Sequence, residues 1–195
     1  MTKLLLSLSL GASALIPAAA QARALPAAVV AIVDVDRVRT TCNACKTAIA
    51  ALQAQATAQD NREKALSAPL QTEGQSIQTA VNALNGKEPD AALKTRAQTF
   101  QTKLQQAQEE AARGRQQLQA NQQYVVKQID DKLSPIFSQV MQRRGANLLV
   151  EQGATLASAT SVDVTNDVLA ALNASLSTIS TTAPAPARTN TPQGR

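Results

Sequence analysis

The sharpest chemical feature of this 195-residue chain is Cys42-Asn43-Ala44-Cys45, two thiols three positions apart. Such a pair can close a local disulfide, exchange electrons with another dithiol, or supply half of a metal site. The metal option lacks ligands, because the chain has no histidine and these are its only two cysteines. Haem attachment needs a histidine directly after the second cysteine, where Lys46 stands. Redox chemistry draws support from a thiol near a helix N-terminus, where the pKa is lowered. The flanking sequence, however, has none of the alternating strands and helices of a thioredoxin-like domain. A local disulfide or packed thiol pair, a bridge between subunits, and redox catalysis all stay open for Cys42 and Cys45.

No other set of residues suits catalysis. The glycines form no phosphate-cradling loop, and the neighbours Asp130-Asp131 and Glu109-Glu110 point in different directions on a helix. Arg143-Arg144 before Gly145 reads as charge complementing a helix C-terminus. The expectation is a protein that is not an enzyme and needs no cofactor or metal.

The elements around the cysteines are legible from periodicity. Ala28 to Val35 (AVVAIVDV) is nearly continuously apolar and β-branched, the pattern of a strand covered on both faces. Further short strands are predicted at Asn147 to Glu151 and, after a turn at Gly153, at Thr155 to Ala159. Between them, steps of four and three from Cys45 land on Ile49, Leu52, Ala56, Gln59, Glu63, Leu66, Leu70, Glu73, Ile77, Ala80 and Leu84. A second run from Leu93 takes in Ala97, Phe100, Leu104, Ala107, Ala111, Gly114 and Leu118, with Val125 a heptad later. Asn85 to Asp90 separates the runs, with Gly86 placed to end one helix and Pro89 to open the next. Two helices joined so tightly fold back as an antiparallel hairpin with arms of about 60 to 80 Å, at 1.5 Å per residue. Pro69, followed by Gly74, interrupts the first arm and is a candidate hinge; Gly114 loosens the second. A short closing helix over Val168 to Leu172 takes Thr165 as its predicted N-cap.

The ends and the charge bound the rest. Residues 1–24, with Lys3, an apolar run from Leu4 to Ile16 and small residues up to Ala24, read as a secretory signal peptide. Residues 181–195 (TTAPAPARTNTPQGR) read as a disordered tail. One domain then spans residues 25–180, with a body from 25–41 and 145–180 and a helical hairpin arm over 42–144. Hydrophobic residues make up 44% of the chain, but much of that is alanine and only Phe100, Phe137 and Tyr124 are aromatic. A conventional core is therefore thin, and the fold class expected is mainly α with a small β body. The formal charge is +5; Lys3, Arg23, Arg188 and Arg195 lie in the two ends, and removing those four leaves +1. Nucleic-acid binding loses its electrostatic basis.

The order strand, long hairpin, strands, helix resembles the Skp/OmpH family of periplasmic outer-membrane-protein chaperones. The similarity rests on Val30-Ala31-Ile32-Val33-Asp34-Val35, on Asn147-Leu148-Leu149-Val150 and Ala157-Ser158-Ala159, and on Val162-Asp163-Val164-Thr165-Asn166-Asp167-Val168-Leu169. It spans about Ala28 to Leu172. The resemblance implies a homotrimer whose small sheets build a central body, with Val30, Ile32, Val33, Leu149 and Val150 in that body or its oligomer core. It also implies an ATP-independent periplasmic holdase whose arms enclose unfolded outer-membrane β-barrel proteins. Client contact then falls on Leu70, Ile77, Leu84, Leu93, Phe100 and Leu104. The best-known members carry strongly basic arms, whereas Lys46 to Val140 here holds eleven Lys/Arg against nine Asp/Glu. Lys87, Lys94, Arg96 and Lys103 near the tip remain candidates for acidic clients or peripheral contact with membrane lipids. A structural coiled-coil protein of the envelope is the alternative, followed by a thiol-disulfide redox protein using Cys42 and Cys45.

Overall fold

A computed structural model describes residues 25–185; the signal peptide expected at 1–24 lies outside the described residues. The order is β1 (Val30–Val33), α1 (Val35–Thr41), α2 (Asn43–Ala83), α3 (Ala91–Arg144), β2 (Leu148–Glu151), two 3-10 turns and α4 (Thr165–Ser175). β1 and β2 pair in parallel, Val30 opposite Leu148 through Val33 opposite Glu151. Parallel pairing needs a crossover, and here the whole hairpin serves as that crossover. Asn147 fastens the entry to the sheet: its side chain accepts from Val29 N at 2.7 Å and donates to Ala27 O at 2.8 Å.

α2 and α3, of 41 and 54 residues, are each continuous. Pro69 does not interrupt α2, and Pro135, which the periodicity analysis passed over, sits inside α3. Both prolines are exposed. The carbonyl that loses its partner four residues earlier shares that outer face and is left to water, so the helix continues. The turn between the arms forms as expected at Asn85 and Gly86, both left-handed (φ 48 and 87). Asp90, rather than Pro89, opens α3, its carboxylate accepting from Leu93 N at 2.8 Å. At the other end Gly145 (φ 67) stops α3, and Arg144 pairs with Asp167 of α4 at 2.8 Å.

Three expectations change in the body. A separate helix, α1, precedes the arm; Cys42 is extended (ψ 148), ends α1, and caps α2. Thr155 to Ala159 forms no strand but runs between the 3-10 turns with Leu156 fully exposed. The place beside β1 is instead taken by Asp163 and Val164, through a single bridge to Ile32 and a bond from Val164 N to Ile32 O at 2.8 Å. Thr165 is not the N-cap of α4: Asp163 accepts from Thr165 N at 2.8 Å, while the Thr165 hydroxyl accepts from Asp34 N at 2.9 Å. Hydrogen bonds from Thr165, with Arg37 nearby, hold the Asp163 carboxyl below its usual pKa. Its stabilising effect is present above the ordinary carboxylate range and fades as pH falls through the lowered value.

The core is larger than a body confined to 25–41 and 145–180. Ala31, Val33 and Val38 pack with Ala44, Cys45 and Ala48 of α2, with Val125, Ile129, Leu133, Ile136 and Val140 of α3, and with Val168 and Leu172 of α4. The base of the hairpin is therefore part of the body, because α1 and α4 cover it. Farther out the arms pack mainly on each other, and none of the positions from 49 to 84 or from 91 to 120 is fully buried.

Candidate functional site

The distal hairpin is a two-helix seam. Every position of the two heptad runs is less exposed than its neighbours on the outer faces, from Ile49 to Leu84 on α2 and from Leu93 to Leu118 on α3. Leu70, Ile77, Leu84, Leu93, Phe100 and Leu104 all lie in this seam and are half-buried. They hold the helices together, and what remains uncovered on each is the surface a ligand can reach.

That surface is greatest midway along the arms. Gly74 makes room for Phe100: a Cβ on Gly74 would come within 3.1 Å of the Phe100 ring. Alanines and Gly74 leave the seam underfilled, opening a groove of about 650 Å³ lined by Leu66, Leu70, Gly74, Phe100, Leu104 and Ala107. A smaller opening on the other side, about 380 Å³, includes Pro69, Leu70 and Ala107. Gly114 has a similar purpose, since the Gln59 side-chain amide lies directly over it and would collide with a Cβ. The glycines thus admit side chains from across the seam instead of loosening the helices.

Two of the four basic residues near the tip are paired with carboxylates. Lys94 meets Glu88 at 2.5 Å, Lys103 meets Glu73 at 2.9 Å, and Arg96 donates to Ser76 at 2.9 Å. Lys87 has no ion pair among the described residues. Exposed pairs of this kind contribute little to stability, about 0 to 1 kcal/mol each.

Cys42 and Cys45 are joined to each other by a disulfide, and neither is exposed to solvent. The link spans the break between α1 and α2, and Cys42 Sγ accepts from Cys45 N at 3.0 Å. Among the described residues no cluster of three metal-ligating side chains exists. A covered disulfide in so short a loop constrains the unfolded chain modestly. Cys42→Ser with Cys45→Ser should lower the folding free energy by about 2 kcal/mol, read by urea denaturation, and native protein should resist dithiothreitol until it unfolds.

In the body, Ile32 and Val33 are buried within the chain, Leu149 and Val150 are half-buried, and Val30 is 37% exposed. Val29, Val30, Leu148 at 45% exposure, Leu25 and Leu156 are exposed apolar side chains, and Val30 and Leu148 lie opposite each other in the small sheet. Among the described residues nothing pairs with the outer edge of β2. No helix among them is long and apolar enough to cross a membrane.

Residues 29–172 match the family described as outer membrane protein (OmpH-like). The chain belongs to the OmpH-like family. A solved structure of an OmpH-like protein from Caulobacter crescentus has the same fold, with a TM-score of 0.66 at 20% identity, covering 80% of this chain and 90% of that one. No curated protein sequence matches. The OmpH-like match ends at Leu172; residues 173–180 were expected in the body and residue 181 onward in a disordered tail. Leu176 is buried and Ile179 packs on the core. Thr181, placed at the start of a disordered tail, and Ala183 beyond it are instead hydrogen-bonded to Gln55 and Asn121; residues 186–195 lie outside the described residues. Gln55, Asn121 and Gln128 were not singled out in the sequence, although one signal existed. Continuing the heptad steps from Leu118 reaches Asn121 before Val125, so a polar residue occupies a seam position.

Proposed function

We propose that this OmpH-like chain is an ATP-independent holdase of the periplasm that keeps unfolded outer-membrane β-barrel proteins from aggregating, acting as a homotrimer with the arms around its client. Family membership supports a chaperone role, and the Caulobacter relative of the same fold is itself put forward as an outer membrane chaperone. The observation that carries the reading is the open apolar groove around Phe100, midway along the two arms. A shallow apolar surface suits weak contacts with many sequences. The exposed apolar rim of the sheet, with its open β2 edge, is where other copies join. Pro69, beside the smaller opening, is the point where the arms bend to fit clients of different size. Catalysis is no part of this reading: the cysteines are covered and out of reach of a partner's disulfide.

Dilution of a urea-denatured outer-membrane β-barrel protein into buffer, followed by light scattering, tests the reading. Equimolar trimer should suppress the scattering, and the suppression should change little between low and high salt, since the arm charges nearly balance and are largely paired. Undiminished aggregation would overturn the holdase, while a steep loss with salt would return the grip to Lys87 and its neighbours. A scaffold of the envelope would bind one folded partner and leave unfolded chains alone.

A further inference from the structure

Beyond α4 the chain turns onto the hairpin and runs along the junction of α2 and α3. Its main chain is held there by side-chain amides. Gln128 reads both groups of one residue, accepting from Ser180 N at 3.0 Å and donating to Ser180 O at 2.8 Å. Gln55 donates to Thr181 O at 3.1 Å, and Asn121 accepts from Ala183 N at 2.9 Å. Of the bonds between strap and hairpin, only the 3.2 Å bond from Gln55 to the Thr181 hydroxyl involves a side chain of the strap. Asn121, 6% exposed, is held in turn by Gln117 at 2.8 Å and by its own bond to Gln55 at 2.8 Å.

The strap lies against the hairpin with a bend at Thr182, where the Ser180 hydroxyl bonds the main chain two residues on. Gln128 and Asn121 are seven residues apart on α3, about 10 Å, and the strap passes from the first to the second between Ser180 and Ala183. The strap therefore points away from the body toward the groove at Phe100. Amides that pair with main-chain N–H and C=O groups do not discriminate between sequences, as in strand addition to a sheet edge.

We propose that the groove bordered by Gln55, Asn121 and Gln128 binds the main chain of unfolded polypeptide segments, and that the chain's own Ser180–Ala183 strap occupies it as a competitor. This rests on the holdase reading and adds to it a defined site and a built-in brake. A strap docked about nine-tenths of the time lowers the apparent affinity about tenfold.

The test uses the full mature chain and, as probe, fluorescein-labelled α-lactalbumin that has been reduced and carboxymethylated so that it stays unfolded. Proline has no N–H, so Ser180→Pro with Ala183→Pro removes the two donors of the strap while Leu176 and Ile179 keep it anchored. Anisotropy titration should show this variant binding the probe up to roughly tenfold more tightly than the unaltered chain. Adding Asn121→Leu and Gln128→Ala should cancel the gain, and hydrogen exchange at Ala183 in the unaltered chain should quicken when the probe saturates it. Unchanged affinity in the proline variant, or a gain that survives Asn121→Leu and Gln128→Ala, overturns the site while leaving the holdase standing. Absence of probe binding by every variant, together with undiminished aggregation of the β-barrel client, overturns both.

Discussion

Leu133→Ala should lower the folding free energy by about 2 to 5 kcal/mol, the largest loss from any single side chain in the hairpin. Leu133 is 1% exposed and belongs to the cluster that joins α1, α2, α3 and α4. Truncation removes the transfer free energy of the side chain and leaves a cavity that helices fixed from three sides cannot close. The comparison that gives the result meaning is Leu104→Ala, in a seam that is half-exposed already and can collapse onto the gap. Its cost should be under half as large. Thermal and urea unfolding followed by circular dichroism measure both. Equal losses would mean that the base of the hairpin is no more of a core than its distal half.

Val30→Arg combined with Leu148→Arg should dissociate the assembly while sparing the fold of each chain. The two residues face one another across the register of β1 and β2, and both are exposed in the isolated chain, so charge there meets water and not the core. If the apolar rim is covered by other copies, each Val or Leu buried contributes about 1.5 to 3 kcal/mol. Losing both at every contact weakens association more than a hundredfold, since each 1.4 kcal/mol is a factor of about ten. Light scattering should report the monomer mass, circular dichroism should stay unchanged, and the capacity to suppress aggregation should fall with the mass. A monomeric parent chain, or a variant that keeps its oligomeric mass, would remove this surface from the account of assembly.

Much of the architecture was written locally. The heptad steps from Cys45 and from Leu93 name the residues that pack in the seam, because a helix repeats its face every three to four residues whatever lies far away in the chain. The reversal at Asn85 and Gly86 is equally local, a matter of which residues tolerate positive φ. The β-branched run at Val30 to Val33 and the apolar stretch at Leu148 to Glu151 both formed strands. Thr155 to Ala159 did not, because the edge it would have used had been claimed by Asp163, about which periodicity says nothing.

What the sequence alone determined, then, is the hairpin, its seam and the small sheet, since each follows from short-range preferences of backbone and side chain. The tertiary structure decided everything that depends on two distant segments meeting. It joined Cys42 to Cys45 and buried them under neighbouring helices. It made the base of the arm into core by laying α1 and α4 on it. It also gave Gln55, Asn121 and Gln128 a purpose by bringing Ser180 to Ala183 back onto the hairpin. Amide side chains carry no hydrophobic period, and a segment held by its main chain needs no particular side chains, so beyond the polar residue at the Asn121 seam position that contact leaves no mark in the sequence until the fold sets its halves side by side.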